Sequence, residues 1–149
     1  MIVGEGDHKG RLEKLIAELG RKDRFRLLGY RSDVQVLYQA MDVFALSSLR
    51  EGLPNVVLEA MACAVPVIGS NIAGIAEAVE HDHTGFLVPP ADPRAIAGAA
   101  QRLLGDPALR NRMGLVARAA ATERFSALAQ SRMLEDTLLE VSDSQAAYR

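Results

Sequence analysis

The sequence predicts an α/β fold, a parallel sheet covered on both faces by helices. Three observations carry this. Short runs suited to strands, at Phe25–Leu28, Val43–Leu46, Val65–Ile68 and Gly85–Val88, alternate with longer stretches whose apolar residues recur at helical spacing. Two of those runs, Val43–Leu46 and Val65–Ile68, are apolar throughout, which suits strands buried on both sides. Helix starts and stops are punctuated by Asp-Pro pairs and by glycine.

A chain of 149 residues has the size of one domain and can bury a sizeable core. Its net charge of -2 is interspersed along the chain, without the clustered Lys and Arg of a nucleic-acid or anionic-membrane surface. Nucleic acid is therefore not an expected partner. The single cysteine, Cys63, has no partner for an internal disulfide and reads as a core position. No transmembrane segment or signal peptide is recognised, because the start Met-Ile-Val-Gly-Glu-Gly turns polar at once, so the expected location is cytoplasmic.

Met1–Val3 is a short apolar stub. After it, Leu12, Leu15, Ile16 and Leu19 mark an amphipathic helix over Lys9–Leu19 that Gly20 ends. The glycines between, Gly4, Gly6 and Gly10, fit either a phosphate cradle or the steric need of a short turn, and the second is favoured. Phe25–Leu28 reads as a strand leading into Gly29-Tyr30-Arg31. Ser32 or Asp33 is placed to cap a helix carrying Val34, Leu37, Tyr38 and Met41, with Tyr38 in the core.

The next stretch, Leu46–Ile68, is the most informative. A strand over Val43–Leu46 is followed by a polar loop, and Pro54 suits the first turn of a helix reaching about Cys63. After the proline only Asn55 and Glu59 are polar. They sit four apart and share a face, so the helix is expected to be buried nearly all round with that face toward the carboxyl end of the strand. Ligands bind at that edge in open α/β sheets. Free backbone amides at Gly52, Leu53 and Asn55 would attract an anion such as phosphate, and Glu59, one turn deeper, suits paired hydroxyls.

Glu51 and Glu59 form an E-x7-E pattern within Glu-Gly-Leu-Pro-Asn-Val-Val-Leu-Glu-Ala-Met-Ala, followed by Val-Pro-Val-Ile. This block resembles the carboxyl-terminal, donor-binding domain of glycosyltransferase family 4, retaining enzymes of the GT-B fold that use nucleotide sugars. The resemblance implies a Rossmann-like domain over residues 1–141, partial because the family's opening strand, its arginine-bearing loop and its lysine precede where this chain starts. A sheet lacking its opening strand predicts poor stability, rearrangement or self-association. Residues 142–149 are polar and expected to be a disordered tail.

By the same resemblance Glu51 is the catalytic-site residue beside the anomeric carbon, and Glu59 holds the ribose hydroxyls. Gly52, Leu53, Pro54 and Asn55 border the phosphates, while Tyr30 and Arg31 hold the base through backbone groups. The implied donor is a UDP- or GDP-linked sugar. A hexose would pass to a glycan or lipid acceptor bound by an amino-terminal domain outside this chain, so the chain alone is expected to be inactive. This sequence departs from the family pattern at Ala64, where glycine is common, at Ala73 in place of the first of two glycines, and at Ala76 in place of a proline before Glu77. Two other readings stand beside this one. One is a non-catalytic nucleotide-sugar-binding or interaction module, and the other a GT-B nucleotide-sugar epimerase.

No cofactor and no metal are expected. His81, Asp82 and His83 sit in a turn without a completing ligand pattern, and no Asp-x-Asp motif occurs. Beyond Val65–Ile68, the stretch Gly69–Gly74 reads as a flexible loop and Ile75–Glu80 as a short helix. Gly85–Val88 is the last strand. Asp92-Pro93 and Asp106-Pro107 start two helices, Ser126 caps a third with Leu128, Leu134, Leu138 and Val141 apolar, and the arginines at 110, 112, 118 and 124 read as a solvated face.

Overall fold

The structure, a computed structural model, describes residues 1–146, with side chains to residue 140. The chain divides into two compact units, Met1–Val36 and Leu37–Arg149.

In the first unit, Ile2 and Leu27 form a parallel bridge, tied by Ile2 N–H to the Arg26 carbonyl at 2.8 Å and by Leu28 N–H to the Ile2 carbonyl at 2.9 Å. The strand expected over Phe25–Leu28 is thus reduced to this one bridge. Ile2 and Phe25 remain more than a third exposed, so little apolar burial supports a longer ladder. Helix α1 spans Lys9–Glu18 and buries Ile16. Asp33, a candidate cap of the next helix, has both carboxylate oxygens engaged by the Arg31 guanidinium. Helix α2 follows at Val34–Gln39.

The second unit is built on three parallel strands, β1 (Phe44–Leu46), β2 (Val67–Ser70) and β3 (Gly85–Val88), in the order β1-β2-β3. Phe44 pairs with Val67 and Ile68 with Phe86, which places β2 at the centre. On one face Ile68, Phe86 and Val88 pack with Ala99, Leu103 and Met113, supplied by α5 (Pro93–Gly105) and α6 (Pro107–Phe125). On the other face Gly69 lies against Ile75 of α4 (Ala73–Ala78), so close that a β-carbon at 69 would stand 2.4 Å from its Cγ2. Side chains alternate across a strand, and here each face finds a helix, as expected.

Three helix starts follow the sequence signals. Asp92 accepts from Arg94 and Ala95 N–H at 3.0 and 2.9 Å, Asp106 from Leu109 N–H at 2.9 Å, and Ser126 from Ala129 N–H at 3.2 Å. Helix α7 runs Ala127–Ala146 and so enters the stretch expected to be a tail, while residues 147–149 lie outside the described residues. The arginine face is only partly free. Arg110 reaches the Leu103 carbonyl at 3.0 Å and Asp42 at 3.2 Å, and Arg124 reaches the Glu77 carbonyl at 2.9 Å.

The expected flexible loop at Gly69–Gly74 is not one. Gly69 and Ser70 belong to β2, Ala73 and Gly74 to α4, and both glycines sit where close packing leaves no room for a side chain. No described helix is long and apolar enough to cross a membrane.

Candidate functional site

At the carboxyl end of β1 the chain leaves the sheet through Ser47–Leu53 and enters α3 (Asn55–Ala62). Pro54 is buried and takes extended angles, φ -79° and ψ 115°, so it is the residue before the helix rather than part of its first turn. A proline there contributes no side-chain oxygen, and α3 starts without a side-chain cap. Its first amides therefore depend on solvent or a ligand.

The helix is not buried all round. Val57, Ala60 and Met61 are fully enclosed, whereas Asn55, Val56, Glu59 and Ala62 are exposed. Asn55, Glu59 and Ala62 recur at one helical face, which therefore opens to solvent along its whole length. Cys63, at the end of the helix, is half-buried rather than a core residue. Beyond it Ala64 adopts φ +58°, its N–H bonding the Met61 carbonyl at 2.9 Å and the Val65 N–H bonding Ala60 at 3.0 Å. This left-handed cap turns the chain from α3 into β2.

Both carboxylates of the Glu51/Glu59 pair have a hydroxyl partner. Ser48 Oγ donates to Glu51 Oε1 at 2.7 Å. Tyr38 donates its phenol to Glu59 Oε2 at 2.9 Å. Tyr38 is 4% exposed, with its ring edge-on to Phe44 at 5.8 Å between centroids. Burial pushes its phenol well above the usual range, and the Glu59 carboxylate adds to the shift. Tyr38 stays protonated, and so a donor, at any physiological pH.

The loop carrying Glu51 is pinned from beneath. A β-carbon on Gly74 would fall 1.6 Å from the Gly52 carbonyl oxygen and 2.7 Å from that of Glu51. Backbone therefore meets α4 directly at Glu51 and Gly52.

Tyr30 and Arg31 belong to the first unit. Tyr30 is 73% exposed. Arg31 holds Asp33 through its guanidinium, and that hydrogen bond lowers the Asp33 carboxyl below its ordinary range. The same unit has a cavity of about 210 Å³ bordered by Gly4, Gly6, His8, Lys9 and Gly29. Gly4 has φ +120° there, which fits the steric reading of that turn. Glu77 is exposed. In the turn that holds His81, Asp82 and His83, His81 accepts the Leu87 N–H at Nδ1, 3.0 Å away, and its Nε2 lies 3.4 Å from Asp82.

Two partners were not evident from spacing. Ser48 is one of two adjacent serines in the loop. Tyr38 reads as core, and the available signal was its hydroxyl, since a buried tyrosine needs somewhere to donate.

Comparison with known proteins places the chain among glycosyltransferases. The chain is 37% identical over 125 residues to N-acetyl-alpha-D-glucosaminyl L-malate synthase of Bacillus anthracis, covering 84% of this chain and 33% of that protein. It is 32% identical over 148 residues to the lipopolysaccharide core biosynthesis glycosyltransferase LpsD of Rhizobium meliloti, covering 99% of this chain and 42% of that one. The chain thus spans less than half the length of either relative. Its fold matches the crystal structure of Anabaena Alr3699/HepE in complex with UDP and glucose, with a TM-score of 0.85 and 30% identity, over 93% of this chain and 39% of that one. The parallel sheet flanked by helices is accordingly that of GT-B glycosyltransferases. The model of the family described as glycosyl transferases group 1 matches residues 1–120, and the chain belongs to that family.

Proposed function

We propose that this chain is the donor-binding part of a retaining, metal-independent glycosyltransferase of family 4, transferring a hexose-type sugar from a UDP- or GDP-linked donor to a glycan or lipid acceptor. The observation that carries the reading is the pair Glu51 and Glu59 at the uncapped start of α3, each carboxylate held by a hydroxyl. Free amides at a helix start favour an anion, so the diphosphate lies over Gly52–Asn55. Glu59, one turn along an exposed face, accepts from the ribose hydroxyls. Glu51, in the loop before the helix, lies beside the sugar. Departure of the diphosphate on the same face as acceptor attack retains the anomeric configuration. Supporting the donor class, Anabaena Alr3699/HepE has been crystallised with UDP-glucose as well as with UDP.

Calorimetric titration of the chain with UDP, GDP and ADP tests this. One nucleotide binds, and Glu59→Ala weakens it by roughly ten- to a hundredfold, the worth of a charge-assisted hydrogen bond. Unchanged affinity in Glu59→Ala would sink the assignment.

A further inference from the structure

We infer that Tyr38 is a positioning residue for the nucleotide site, fixing the Glu59 carboxylate so that one oxygen stays aimed at the ribose. The inference rests on the reading of Glu59 given above. Glu59 is on an exposed helical face, where a glutamate side chain ordinarily samples several rotamers. Here one oxygen, Oε2, is taken by a donor from a buried ring. The donor is itself immobile, because Phe44 of β1 meets the ring edge-on and the surroundings are closed. Two of the carboxylate's four lone-pair sites belong to Oε1, and among the described residues no group is hydrogen-bonded there. A rigid acceptor with one free oxygen costs less ordering entropy on binding than a mobile one.

The phenol suits this task for a second reason. A lysine or arginine in its place would neutralise the carboxylate, whereas a neutral phenol orients it and leaves its charge. The upward shift of Tyr38 keeps the donor protonated throughout the physiological pH range.

A double-mutant cycle on the full chain tests the inference. Tyr38→Phe keeps the ring against Phe44 and removes only the donor, and circular dichroism checks that the fold is retained. With UDP, GDP and ADP as probes, Tyr38→Phe weakens the nucleotide that binds by about two- to tenfold, and has no further effect in the Glu59→Ala background. Effects that multiply in the double variant would overturn the positioning role and leave the reading of Glu59 intact. Loss of the Glu59→Ala effect itself would overturn that reading, and the inference with it. The contact also has a readout without ligand. The ultraviolet tyrosinate transition assigned to Tyr38 by difference from Tyr38→Phe moves to lower pH in Glu59→Ala, since the remaining neighbour acting on it, the Cys63 thiol, is a lesser influence. A transition that does not move would mean that the two side chains are not paired, and that too would overturn the inference.

Discussion

Tyr38 spends its ring and its hydroxyl on different tasks. The helical spacing Val34, Leu37, Tyr38, Met41 assigns it to the core, and this is right for the ring. The hydroxyl serves Glu59, which spacing alone does not reveal because the two residues are 21 positions apart. Glu59 was legible for the opposite reason: a carboxylate within an apolar helix is conspicuous. The pH dependence follows from burial. A phenol held above its unfolded value of about 10 keeps its proton where the unfolded chain has lost it, so its contribution is complete below pH 10 and is lost as pH rises further. The urea midpoint should therefore fall more steeply above pH 10 in the native chain than in Tyr38→Phe.

At the scale of elements, the starts of α5, α6 and α7 were readable, whereas the first residues of α3 and α4 and the surroundings of α3 were not. Asp92, Asp106 and Ser126 act locally, each bonding an amide two or three residues on, so sequence suffices to place them. The exposed face of α3 depends on which neighbours arrive, and composition gave no hint that Val56 would remain 40% exposed. The end of α3 has its own signature. Ala64 sits at φ +58°, a conformation that costs an L-residue about 1 to 2 kcal/mol, while the N–H groups of Ala64 and Val65 complete the two cap hydrogen bonds. Ala64→Gly removes that strain and adds some unfolded-state entropy. We expect a net gain of up to about 1 kcal/mol, read as a melting temperature roughly 2 to 4 °C higher.

For the whole molecule, the parallel sheet was predictable because its strands are nearly continuous apolar runs. The division into two units was not. Met1–Val36 encloses only Ile16 among its described apolar side chains, whereas Leu37–Arg149 holds every other buried apolar residue of the described chain. Local stability follows buried area. Limited trypsin treatment should therefore cut first at Arg21–Arg26, an exposed stretch with four basic residues, while the β1–β3 sheet stays intact. Early cleavage within α5 or α6 would contradict this ranking. Helix α7 is a further whole-molecule feature, with Leu128, Met133, Leu134, Leu138 and Leu139 each more than half exposed.

The contact between Gly74 and the Gly52 carbonyl has a consequence for motion. Where two elements meet through side chains, rotamer changes absorb small displacements, but here only a hydrogen separates α4 from the Glu51 loop. The loop and the helix must then fluctuate as one body. Opening of α4 releases the Glu51 loop in the same event, and amide hydrogen exchange should report one shared opening rate for residues 51–53 and 75–79. Gly74→Ala would part them, speeding exchange in the loop ahead of the helix.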